Sequence, residues 1–185
     1  MPARSPLRGE AKLAAALAAF AVSVQGRAAL DVGASSGGFT RVLLAAGARI
    51  VYAVDVGHGQ LLGSLRQDPR VVNLEGTNVA RLNAQLIPDA IDVVAVDVSY
   101  LSLTAAVQQL DRIRLAQGAD LIGLVKPMFE LRLAAAPTDA ASVARAAEHA
   151  AAGITAAGWA VVGSIHSPTL GARGAPEMLL HGRRP

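Results

Sequence analysis

The sequence predicts an α/β fold: a mostly parallel, seven-stranded sheet with helices on both faces. Three observations lead there. The strand-like runs are apolar without alternation, as in "AIDVVAVDV" (90–98) and "ADLIGLVKP" (119–127), which marks strands buried on both sides. Helix-like segments separate them, so strand and helix alternate along the chain. Several strands end on a charged residue (Asp31, Asp55, Asp97, Lys126), and open α/β sheets bind ligands at their strand ends.

The elements follow in order. "LAAALAAFAVSV" after "MPARSPLRGEAK" has the outline of an export leader, a charged stretch before a short apolar one. It also reads as a helix. Leu13, Leu17, Phe20 and Val24 fall on one face, and Glu10 is unusual in a leader. The helix is the preferred reading. "AALDVGA" (28–34) is a buried strand, and "SSGGFTRVLLAAG" (35–47) a turn and helix. "ARIVYAVDV" (48–56) is a second strand, followed by a helix through 60–67. "RVVNLE" (70–75) and 90–98 are the third and fourth strands. A helix over 103–117, closed by Gly118, precedes the fifth strand at 119–127. A helix over 137–158 has Thr138 or Asp139 as cap and Gly158 at its end. "WAVVGSIHS" (159–167) and "EMLLHG" (177–182) are two closing strands. The alanine-rich loop 131–141 is expected to be flexible.

At 185 residues, with no internal repeat, one domain is expected. Hydrophobic residues make up 52% and charged residues 17%, which excludes a disordered chain. The net charge of +3 is compatible with a polyanion but does not identify one. There is no cysteine, so thiol chemistry and disulfides are excluded and a reducing cytoplasm is permitted. The four histidines are scattered without zinc-site spacing, and no metal is expected. No apolar run is long enough to cross a bilayer as a helix.

Two features suit a nucleotide-like cofactor. In "LDVGASSGGFT" (30–40) a strand ending at Asp31 runs into a glycine turn and a helix. Gly33, Gly37 and Gly38 let a ligand approach the backbone, with Phe39 in the same block. Ser35 stands where a dinucleotide fingerprint has glycine, which disfavours NAD. The looser turn suits S-adenosylmethionine, which has no pyrophosphate. A plain strand-to-helix turn is the competing reading. The second feature is Asp55, about 20 residues beyond the turn and suited to ribose hydroxyls. Asn78 is placed to read an adenine edge or to cap a turn.

The fourth and fifth strands end in Asp97 and Lys126. If these strands are neighbours, the two groups meet at the ligand edge, as an active pair or a structural one. Lysine occurs only twice in the chain, at positions 12 and 126. A compact amine serves where a fixed guanidinium does not.

The blocks "RGEAKL", "LDVGASSGGFT", "VYAVDVGHGQL", "VDVSYLSL", "LVKPMFE" and "GARGAPEMLLH" occur in the order that resembles the TlyA group of FtsJ-like ribose methyltransferases. The resemblance spans roughly residues 4 to 182. It implies a Rossmann-like class I methyltransferase fold, S-adenosylmethionine as cofactor, and a ribose 2′-hydroxyl of RNA as acceptor, ribosomal RNA in a ribosomal subunit being the expected form. It implies a Lys-Asp-Lys-Glu tetrad, which maps onto Lys12, Asp97, Lys126 and Glu177, with Glu130 outside it. Cytoplasmic placement and no membrane partner follow. Residues 1–185 are expected to form one such domain, without the S4 RNA-binding domain usual in the group. Met128 and the "GAPE" block depart from the group's usual "KPQFE" and "GNxE".

On the substrate side, Arg4 and Arg8 near Lys12, and Arg173 near Glu177, are expected to track phosphates if the chain ends converge. Solvated termini are the alternative. Ser99 and Tyr100 follow Asp97, and Tyr100 with Phe129 is suited to flank a splayed base. Two other functions stay open: methylation of a small hydroxylated molecule, and a non-catalytic module that binds RNA or the adenosyl cofactor.

Overall fold

The computed structural model describes residues 6, 7 and 9–185. Seven strands form one sheet in the order β3-β2-β1-β4-β5-β7-β6, with β1 Ala28–Val32, β2 Ile50–Asp55, β3 Val71–Glu75, β4 Ile91–Val96, β5 Leu115–Val125, β6 Ala160–His166 and β7 Met178–Arg183. The first five run parallel. β7 is inserted antiparallel between β5 and β6. The order reverses at β1 and β4, and this crevice is where a doubly wound sheet binds its ligand.

Alternation within the apolar strands feeds two cores. Leu30, Val94, Val96, Leu121 and Val125 face one side of the sheet. There they meet α4 (Leu103–Gln108) and α6 (Ala140–Ala156). Ala29, Val93, Ala95, Ile122 and Leu124 face the other. That side is covered by α1 (Glu10–Ala19), α2 (Gly38–Ala45) and the single turn α3 (Gly63–Arg66). Strands buried on both faces need no polar register, so the sequence shows continuous apolar runs.

The N-terminal apolar stretch is a helix packed on the sheet. Leu13 and Leu17 are buried in α1. The helix stops at Ala19, and Ala21 takes φ +52. Val24 is therefore buried beyond the helix rather than on its face. Asp139 is the cap of α6, accepting from Ser142 N–H at 2.7 Å. Among the described residues no helix is long and apolar enough to cross a membrane.

Two boundaries differ from expectation. The helix expected over 103–117 ends at Gln108, tightens into a 3₁₀ turn over Gln109–Arg112, and gives way to β5 at Leu115. Leu115 pairs with Ile91 and Asp120 with Val93, so β5 bulges between them. Gly118, with φ +71, turns that bulge instead of ending a helix. The helix expected over 60–67 shrinks to one turn. Glu75 captures the N–H groups of Gln60 and Leu61 at 2.6 and 3.0 Å, which holds that stretch as a loop.

Candidate active site

A cavity of about 220 Å³ opens at the carboxyl ends of β1, β4 and β5. Lys12, Asp97, Lys126 and Glu177 all line it, together with residues 33–36 and 38 of the glycine turn. The groups arrive from four places in the chain. Asp97 and Lys126 directly follow neighbouring parallel strands. Lys12 sits in the first turn of α1, and Glu177 directly precedes β7.

The four side chains form two ion pairs. Lys12 Nζ donates to Glu177 Oε2 at 2.5 Å, with both side chains less than a tenth exposed. Lys126 Nζ lies 2.6 Å from Asp97 Oδ1 and donates to Ser99 Oγ at 2.8 Å. Pairing offsets the cost of removing each charge from water. The second pair is the more open, its side chains 16% and 23% exposed, so it can meet a ligand.

The start of α1 is fixed by a separate contact. Glu10 accepts from Arg41 on α2 at 2.5 Å and from Leu7 N–H at 2.8 Å. Gly9, with φ +92, passes over the Phe39 ring. These contacts aim Lys12 inward.

The glycine turn is held by backbone contacts to its neighbours. Gly33 and Ala34 donate to Val54 O at 2.9 and 3.0 Å. Gly37 precedes α2 with φ +96 and leaves that helix without a side-chain cap. The first N–H groups of α2 are therefore available to an anion. Gly38 and Phe39 line the cavity there. Ser35 adopts φ +47, a backbone normally left to glycine, at a cost on the order of 1–2 kcal/mol. Its N–H donates to Asp55 Oδ2 at 2.7 Å, which offsets part of that cost, and Gly57 N–H donates to Oδ1 at 2.7 Å. Asp55 is thus held at the rim of the glycine turn, outside the lining of the cavity.

Other expected residues fall elsewhere. Asp31 is fully buried in β1, behind the cavity. Thr40 Oγ1 donates to its Oδ2 at 2.6 Å, and Oδ1 has no hydrogen-bond partner. Burial pushes its pKa up to about 7; the charges of Asp97 and Asp55 add to the rise, and the Thr40 bond opposes it. Asn78 caps the turn over Val79–Arg81, accepting from Ala80 N–H at 2.9 Å. Tyr100 and Phe129 line one shallow cleft with Met128 and Leu133. Burial raises the pKa of the Tyr100 hydroxyl, and the Asp55 charge adds to it. Arg173 is exposed on the loop above the cavity with φ +58. Arg4 and Arg8 lie outside the described residues.

Sequence reasoning missed two supports. A Cβ on Gly171 would stand 2.2 Å from Glu177 Oε1, so only glycine fits against that carboxylate. The "GARG" turn signals a bend, but not what it bends around. Leu170, 65% exposed, sits at the cavity mouth; an isolated leucine in a loop carries no signal. Among the described residues no cluster of three His, Cys, Asp or Glu side chains could hold a metal ion.

The family model for FtsJ-like methyltransferases matches residues 6–184. The chain belongs to that family. This FtsJ-like domain is 51% identical over 124 residues to 16S/23S rRNA (cytidine-2′-O)-methyltransferase TlyA of Mycobacterium tuberculosis, covering 67% of this chain and 46% of that protein. It is 42% identical over 124 residues to Hemolysin A of Brachyspira hyodysenteriae, covering 66% of this chain and 51% of that one. The chain therefore spans about half the length of the curated relatives it matches. A solved structure named as a hemolysin, from Streptococcus thermophilus, superposes with a TM-score of 0.92 at 35% identity, over 100% of this chain and 68% of that one. The FtsJ-like assignment and the strand order together make the fold a Rossmann-like methyltransferase fold with a mixed sheet.

Proposed function

We propose that the chain transfers a methyl group from S-adenosylmethionine to a ribose 2′-hydroxyl of RNA, with ribosomal RNA in a ribosomal subunit as the substrate and the cytoplasm as its setting. The observation that carries this reading is the meeting of both ion pairs with the glycine turn in one cavity. A relative that covers two thirds of the chain bears the name of an rRNA 2′-O-methyltransferase, which supports the choice of acceptor.

The residues fit the cofactor. The uncapped start of α2 suits its carboxylate, and Asp55 suits its ribose. Gly33 and Gly38 line the wall between them, while Gly37 gives room to Leu65 and Leu61, which a Cβ there would meet at 2.2 and 2.8 Å. When bound, S-adenosylmethionine supplies a methyl carbon on a positively charged sulfur, whose carbon–sulfur bond breaks as the oxygen–carbon bond forms.

The chain's own residues then have two tasks. Lys126 takes the hydroxyl: once it has passed its own proton to Asp97, the amine orients the oxygen and accepts the proton the hydroxyl must lose. Asp97 and Ser99 hold that amine at the cavity wall. Lys12 and Glu177 form the other part of the frame. Holding both reactants in line can contribute up to about 7–11 kcal/mol. A positioned acid–base group adds roughly 10²–10⁴-fold. Arg173 is assigned to a backbone phosphate, and Tyr100 to the acceptor base.

Incubation with radiolabelled S-adenosylmethionine and ribosomal subunits, intact ribosomes, free rRNA or a small-molecule extract tests this. Label in RNA at an alkali-resistant linkage is the expected result. Label confined to the small-molecule fraction, or no transfer at all, overturns it.

A further inference from the structure

Glu130 is a buried charge that the proposed chemistry leaves unused. Its side chain has no exposed surface. It ends α5 (Pro127–Glu130), the single turn that begins just after Lys126. Three groups converge on its carboxylate. Leu103 N–H donates to Oε2 at 2.8 Å, Thr104 Oγ1 donates to Oε1 at 2.5 Å, and His149 Nδ1 lies 3.0 Å from Oε1. A buried carboxylate persists only when so surrounded.

The contacts close a ring. Lys126 O accepts from Phe129 N–H and Glu130 N–H, both at 3.0 Å. The Glu130 side chain then reaches the start of α4 at Leu103. The chain from Leu103 back to Ser99 and Asp97 returns to Lys126 Nζ. Leu103 cannot slide, because it is seated over Gly123, where an added Cβ would meet Leu103 Cδ2 at 2.4 Å. Glu130 is therefore a side-chain tie between the Asp97–Ser99 segment and the Lys126 turn, beyond the β4–β5 pairing that brings the two strand ends together.

We propose that Glu130 is a positioning residue that holds Lys126 against Asp97 and Ser99. The inference rests on the reading of Lys126 as the group that meets the substrate hydroxyl, but its structural part is testable without turnover. With only two lysines in the chain, protein labelled with ¹³C at lysine Cε gives two side-chain signals, assigned with Lys126→Arg. In Glu130→Ala the Lys126 signal should move while that of Lys12 stays. Glu130→Gln still offers Leu103 an acceptor, so it should restore most of the native position. In the methylation assay Glu130→Ala should lower kcat at least tenfold and leave KM for S-adenosylmethionine within about twofold. Thr104→Val, which removes one donor and leaves the fold, should move the same signal in the same direction by less.

An unmoved Lys126 signal in Glu130→Ala overturns the proposal. So does joint movement of both lysines with loss of cooperative melting, which is a general structural effect. A wild-type protein that transfers no methyl to RNA refutes the functional reading, while the two lysine signals still decide the positioning.

Discussion

A Cβ on Gly33 would lie 2.2 Å from the carbonyl oxygen of Asp97. Two backbones touch at this point: the turn after β1 and the end of β4, with Asp97 N–H donating to Val32 O at 2.9 Å. The contact places a carboxylate of the cavity directly beside the turn that would carry the cofactor.

Gly33→Ala should therefore be severe. The position has φ +90, and the clash is with backbone, which no rotamer change relieves. The conformation alone costs on the order of 1–3 kcal/mol. The expected outcome is a lower melting temperature and at least tenfold weaker S-adenosylmethionine binding by calorimetry. Native affinity in this variant would refute the close approach.

The Lys12–Glu177 pair calls for a double-mutant cycle. Lys12→Met leaves a buried carboxylate alone, and Glu177→Met leaves a buried amine alone. Each should destabilise by about 3–5 kcal/mol in denaturant unfolding. Lys12→Met combined with Glu177→Met should recover much of that loss. It should remain inactive, because the pair's place in the cavity is lost.

Lys126→Arg separates charge from chemistry. Arginine keeps the positive charge beside Asp97 but offers no compact amine that can take a proton. Turnover should fall by at least 10², the lower bound for a lost acid–base group, with cofactor affinity little changed. Near-native turnover would assign the proton to another acceptor.

Asp31 gives the protein a pH signature. Its folded pKa of about 7 lies above the ordinary 3.8, so the native state holds the proton longer than the unfolded chain does. Its contribution is fully present below about pH 4 and is lost as pH rises through about 7. Between pH 5 and 8, wild-type melting should fall more steeply than that of Asp31→Asn. Parallel curves would place the charge elsewhere.

The fold was legible because both faces of the sheet are covered, which writes each central strand as a plain apolar run. The α4–β5 boundary was not. Leu103, Ala106, Val107, Leu110 and Ile113 keep one helical face past the end of α4, so periodicity carries the helix into the 3₁₀ turn, and only pairing with Ile91 shows that Leu115 opens β5. Asp97 and Lys126 were readable as partners because the ends of neighbouring parallel strands share one edge. Lys12 and Glu177 lie 165 residues apart, one on a helix and one in a loop, and no local pattern links them. Their partnership came through the family resemblance, not through spacing. Asn78 had two readings from its type alone, and the turn over Val79–Arg81 took it as a cap.

The insertion of β7 between β5 and β6 has a consequence for folding. Glu177 reaches the cavity only when Met178–Arg183 has threaded into a gap whose two flanking strands are made earlier. Until Met178–Arg183 is in place, β6 has no strand of this sheet to pair with and Glu177 is not held beside Lys12. The seating of β6 and the Lys12–Glu177 contact thus depend on one and the same strand insertion.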